Sequence, residues 1–157
     1  IQIIKLDVRF VNEAYQLRMI FEQEAVRRMA RAPNEPLLED LYKRTSEMKA
    51  RAEMQDRIDE DLGAEGFKID LDLHDSLIAN LENTLISDSY QKLDDRVRLI
   101  RMNSKFSKDR LVSAMSEHLA IISALRKADE KQSLTAVTNH ISTSWRRALG
   151  GKDTVFP

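Results

Sequence analysis

Along most of this chain apolar residues return every third or fourth position, and at three points a histidine stands where that register calls for an apolar side chain. His74 lies in line with Phe67, Leu71, Ile78 and Leu81. His118 falls among Leu111, Met115, Ile122 and Leu125, and His140 among Leu134, Val137, Ile141 and Ser144. Asp70, one turn before His74, sits about 40° from it on the same helical face. The chain has 3 histidines in all. Period 3.6 dictates amphipathic helices, and polar groups on three inward faces imply that these helices pack around one small polar site.

Composition agrees with an all-α class. Charged residues make up 32% of the 157, whereas there are four glycines, three prolines and 6% aromatics, a balance that suits helices over sheets or disorder. A hydrophobic fraction of 42% in a chain this long supports one domain with one core. A net charge of −1 gives no general hold on phosphate backbones, so the chain by itself is a poor nucleic-acid binder. Without cysteine, any metal must be held by nitrogen and oxygen, and a reducing, cytoplasmic setting is expected. No apolar run approaches the roughly 18 residues of a membrane span, so no membrane partner is expected. The first residues, Ile1-Gln2-Ile3-Ile4-Lys5, are neither a signal peptide nor an initiator start, and the chain is expected to begin inside a longer protein.

Taken in order, residues 1–8 read as a linker, 9–149 as the domain and 150–157 as a tail. The first helix is expected from Arg9 to Arg31, with Arg18 at the centre of its apolar arc, where it either pairs with Glu22 one turn on or points into a cavity for a carboxylate. Pro33-Asn34-Glu35-Pro36 breaks the chain, and a second helix is expected from Glu35 to about Asp61. Gly63 and Gly66 then punctuate it before the helix of Asp70 and His74, which ends near Leu81. Asn83 opens or interrupts the pattern Ile86, Tyr90, Leu93, Val97, Ile100, which also carries Arg96, Arg98 and Arg101. Ser107 caps a fifth helix reaching about Lys127, and Asp129-x-x-Gln132 opens a sixth that Gly150-Gly151 ends.

A single histidine in an apolar stripe is ordinarily a hydrogen-bonded core residue. Four groups together, Asp70, His74, His118 and His140, would be costly to bury unpaired, and a divalent cation removes that cost. Three imidazoles and a carboxylate suit zinc, nickel, manganese, cobalt or iron(II), with one or two positions left for water or a ligand. There is no Gly-rich phosphate loop, no HExxH and no paired Glu-x-x-His of a di-iron bundle. A mononuclear hydrolase or isomerase stays open as the alternative, although Asp72 and Glu117, its available general bases, are turned away from the histidine stripes by their helical phase.

Asp70-x-x-Leu73-His74, Asn83 nine residues on, then Glu117-His118, Ala124, Asp129, Ala136 and His140, together with Tyr15-Gln16-Leu17-Arg18 and Glu22, resemble the FCD effector domain of GntR-type bacterial transcriptional regulators. The resemblance runs from about residue 9 to 149. Leu73 stands where the family usually has Phe, and Glu82 where Gly commonly precedes the Asn. The resemblance implies an antiparallel bundle of six to seven helices with a central metal and ligand pocket. It also implies a divalent metal, zinc first, held by Asp70, His74, His118 and His140, and a small organic acid as effector. Arg18, Asn83, and Arg98 or Arg101 would hold the acid's remaining oxygens, because a guanidinium offers a carboxylate paired hydrogen bonds. Such regulators resemble one another in working as homodimers and in binding DNA through an N-terminal winged helix-turn-helix, here missing, so this chain is expected to be a sensing domain and not an enzyme.

Overall fold

Among the described residues, six helices each begin at a side chain that accepts a hydrogen bond from one of the first backbone N–H groups, the donors a helix cannot satisfy itself. In the computed structural model, which describes residues 7–102 and 107–150, Asp7 caps α1 (Val8–Arg31), Asn34 caps α2 (Glu35–Glu53) and Asp59 caps α3 (Glu60–Ala79). Asn83 reaches the N–H of Ile86 at the start of α4 (Thr84–Met102), Ser107 caps α5 (Lys108–Arg126) and Asp129 caps α6 (Glu130–Ala148). No strand occurs among the described residues. The fold is all-α, and none of these helices is long and apolar enough to cross a membrane. Residues 1–6 and 151–157, within the expected linker and tail, lie outside the described residues, whereas Val8 already belongs to α1.

Two boundaries differ from the sequence reading. The second helix stops at Glu53, not Asp61, and α3 starts at Glu60, so that Gly63 and Gly66 lie inside a helix instead of preceding it. The carbonyl of Glu53 accepts a hydrogen bond from Lys108 Nζ of α5 (2.8 Å), which supplies one of the partners that the end of a helix lacks. Gly66 marks a close approach: a Cβ there would come 2.7 Å from Leu111 Cδ1 of α5 and force that side chain to shift. That close approach lets α3 lie against α5 with Asp70 and His74 turned toward His118.

The packing order puts the polar stripes together. Helix α5 lies between α2 and α6, α6 packs along α1, and α3 touches α1, α2, α4 and α5. The larger core gathers Tyr15, Val26 and Met29 of α1, Leu38 and Leu41 of α2, Leu73 and Leu77 of α3, and Ile121, Ile122, Val137 and Ile141 of α5 and α6. Leu73 and Leu77 are the most deeply buried leucines of α3, while Leu71, placed in line with His74 by the sequence reading, is only partly buried. Burying a leucine contributes on the order of 2 kcal/mol. A smaller cluster of Met48, Ala52, Leu62, Ile69, Leu111 and Met115 closes one end.

Candidate metal centre

Helices α3, α5 and α6 bring Asp70, His74, His118 and His140 to one point. All four are buried, and one donor atom from each lies within 4.8 Å of all the others. His118 Nε2 is 3.2 Å from Asp70 Oδ1, and His74 Nε2 is 3.9 Å from the same oxygen. The Nε2 atoms of His74 and His140 are 3.2 Å apart. The His74 and His140 rings are near-parallel, and His118 stands edge-on to both. A metal at about 2.0–2.1 Å from nitrogen or oxygen donors would place neighbouring donors a little over 3 Å apart, the scale of these separations.

The protonation of two rings is set from behind. His74 Nδ1 is 2.6 Å from Glu22 Oε2, and His140 Nδ1 is 2.7 Å from Glu117 Oε2. Burial works against the charge of Glu22, but Arg18 and His74 outweigh it and hold its pKa well below the ordinary carboxylate range. An ionised carboxylate can only accept, so the hydrogen at this contact is on Nδ1 of His74. His140 is kept neutral: burial, then the neighbouring His118 and His74, push its pKa well down. With Nδ1–H given to Glu117, its Nε2 carries a lone pair. The Nε2 atoms of His74 and His140 so held meet at 3.2 Å, with Asp70 Oδ1 and His118 Nε2 beside them, a buried group of donors that a cation at the shared point would hold together. The donor set therefore fits a divalent metal ion.

Arg18, the first arginine expected near a ligand, is 2% exposed and donates from Nε to Glu22 Oε1 at 2.6 Å. Of the two sequence readings of Arg18, the structure shows the pair with Glu22. Burial opposes its charge and Glu22 overrides that, leaving the guanidinium pKa well above its ordinary value. Its Nη1 is buried with no hydrogen-bond partner among the described residues. Tyr90 of α4 adds its hydroxyl to Glu22 Oε1 at 2.8 Å. Asn83 and Arg98 are engaged elsewhere: Asn83 is exposed at the start of α4, and Arg98 Nε is 2.6 Å from Asp94, with Nη2 4.0 Å from Asp75. The side chain of Arg101 lies outside the described residues.

Glu117 corrects the sequence reading. Helical phase turns it out of the stripe of His118, its neighbour in the chain, yet that same turn points it across to His140 of α6 and to Arg147, whose Nη2 is 3.2 Å from Oε1. Burial raises the Glu117 pKa and Arg147 opposes the rise. Asp72 does face away, to Arg44 of α2 at 2.7 Å. A narrow cleft of about 40 Å3, partly open to solvent, reaches Asp70 and His140 between α3, α5 and α6, and Arg110, Ser144 and Arg147 stand on its walls. Sequence reasoning missed Arg110 and Arg147. Each is an arginine at a helix end, a position that by itself signals only a surface charge.

The depressed pKa values set an acid limit on stability. Folded His140 resists the proton that an unfolded histidine takes up near pH 6.5, so the unfolded chain binds more protons below that value. Glu22 acts in the same direction lower down: its contribution is full above the unfolded carboxylate value and is lost as pH falls toward its depressed folded value. Urea midpoints of metal-free protein should decline from pH 7 to 5 and more steeply below about pH 4.5. A flat profile across both ranges would contradict these assignments.

A likeness to solved structures extends over the whole bundle. The metal-free FCD domain of TM0439, a candidate transcriptional regulator, superposes with a TM-score of 0.72 at 18% identity, covering 94% of this chain and 99% of that one. The Zn2+-bound FCD domain of the same protein gives 0.69 at 19% identity, covering 93% of this chain and 96% of that one. No curated protein sequence matches the chain. The family model for the FCD domain matches residues 13–143, from the first helix through the last histidine of the cluster. The chain belongs to the FCD domain family.

Proposed function

We propose that this domain is the metal-containing sensor of a GntR-type transcriptional regulator, and that a small organic acid is the effector it reads. One observation carries the reading: four buried donors from three helices converge within 4.8 Å. When bound, a divalent ion, zinc first, supplies positive charge and open coordination positions for a carboxylate or hydroxyl. The chain's own residues do the rest. Asp70, His74, His118 and His140 hold the ion, and the narrow cleft beside Asp70 and His140 widens between Arg110 and Arg147 to take the acid. The buried Nη1 of Arg18 is a hydrogen-bond donor for an acid oxygen, while its Nε stays on Glu22. Asn83 and Arg98 belong to the outer part of this proposal, as side chains that reach the acid only if α4 shifts, and Arg101 is carried with them from the resemblance alone.

Sensing of this kind requires the acid to favour one arrangement of the regulator over another. The surrounding design is a homodimer whose winged helix-turn-helix modules contact DNA in the cytoplasm. Leu17 and Ile20 on α1 and Leu85 and Leu99 on α4 are exposed apolar side chains suited to a contact between copies. A regulatory role is favoured over hydrolysis because both carboxylates that could act as bases are engaged, Asp72 with Arg44 and Glu117 with His140 and Arg147.

Elemental analysis of protein purified without chelator should find about one divalent ion per chain. Calorimetry of metal-loaded protein with a panel of short mono- and dicarboxylic acids should then detect binding that weakens at least about tenfold in Arg18→Lys, which keeps a cation for Glu22 but loses the planar fork. Acid affinity unchanged in that variant would remove Arg18 from the site. Protein that neither retains nor takes up metal would end the reading.

A further inference from the structure

His74 and His140 are gripped in the same way by carboxylates from other helices. Glu22 of α1 holds His74 of α3, and Glu117 of α5 holds His140 of α6, each at Nδ1 and each at 2.6–2.7 Å. We propose that Glu22 and Glu117 are positioning residues of the metal centre, fixing both rings so that their Nε2 atoms face the shared point. The proposal rests on the metal reading above and extends the centre from three helices to four.

An imidazole anchored at Nδ1 cannot turn over without breaking a charge-assisted hydrogen bond, so its other nitrogen is committed to one direction. A carboxylate behind the ring also makes Nε2 a better donor to a cation. The two Nε2 atoms, 3.2 Å apart, are the outcome of that double anchoring. His118 is set differently: its Nε2 lies 3.2 Å from Asp70 Oδ1, a ligand of the same centre. The centre thus has two rings aimed from outside and one facing its carboxylate within.

The two supports are built differently, which decides how each is tested. Glu22 is fully buried with Arg18, His74 and Tyr90 around it, and its loss strands the Arg18 charge. Glu117 is 23% exposed and its other partner, Arg147, is 29% exposed, so substitution there leaves no charge without water. Glu117 is therefore the position at which aim can be changed while the fold is kept.

The test is zinc affinity measured by competition with a chromophoric chelator, together with the visible absorption of cobalt(II)-loaded protein, in native, Glu117→Gln and Glu117→Leu chains. Removing a carboxylate behind a ligating histidine weakens metal binding by about 10–100-fold. Glu117→Leu should show that loss and a changed cobalt spectrum. Glu117→Gln, which keeps an oxygen to accept the Nδ1–H, should fall between it and the native protein. Equal affinities and identical spectra in all three would overturn the proposal while leaving the metal reading intact. Native protein that binds neither zinc nor cobalt would overturn both. Circular dichroism confirms that each variant is folded.

Discussion

Glu22→Gln is expected to lower the stability of the metal-free protein by about 3–5 kcal/mol, the cost of breaking a buried ion pair from one side. The reason is the uncompensated cation. Arg18 is 2% exposed, its Nε depends on Glu22 at 2.6 Å, and no water can replace the lost carboxylate. Glutamine keeps one acceptor oxygen in place of two, so either His74 Nδ1, held on Oε2, or the Tyr90 hydroxyl, held on Oε1, also loses its acceptor. For a domain of this size the change corresponds to a melting temperature lower by roughly 10 °C. Urea denaturation with an unchanged m-value checks it. Glu13→Gln is the control, since Glu13 pairs with Arg9 on the same helix in full solvent and should leave the midpoint where it was. Equal midpoints for the two variants would mean that the Arg18–Glu22 pair adds nothing to the fold.

The second large effect is expected from zinc itself. Free metal at a thousandfold excess over its dissociation constant stabilises the state that binds it by about 4 kcal/mol. Thermal unfolding of the native protein should therefore rise by roughly 10 °C on zinc loading and return to its starting value with chelator. His118→Ala should abolish the rise. His118 is fully buried, and its ring stands edge-on to the His74–His140 pair, where it would supply the donor that closes the proposed site. The alanine variant will itself be less stable, so the informative quantity is the zinc-dependent shift within each protein. A shift of the same size in His118→Ala would place the metal elsewhere.

Much of this arrangement could be read from the residues. The stripes of α5 and α6 are buried as their period requires, and Asn34, Ser107 and Asp129 cap where their side chains suggest. Period 3.6 also put Asp70 and His74 on one inward face. It could not place the end of α2. The run Arg51 to Glu60 keeps good helix formers and carries no Gly or Pro, and Asp59, the side chain that begins α3, is one acid among several. Gly66 was misleading for the opposite reason: glycine breaks an exposed helix but permits a close crossing, which depends on a partner 45 residues further along the chain at Leu111. Phase within one helix says which way Glu117 points. It does not say that α6 will be there to meet it, and that contact was visible only in three dimensions.

The chain has no cysteine, and nothing covalent ties its helices together. The four donors lie on α3, α5 and α6 and span residues 70 to 140. An ion held by them would close two long loops of chain at one point, as a pair of disulfides would, and long loops are the ones whose closure restricts the unfolded chain most. Such a cross-link is indifferent to cellular reductants and answers to metal supply instead. The domain's resistance to proteolysis would then follow the metal content of its surroundings.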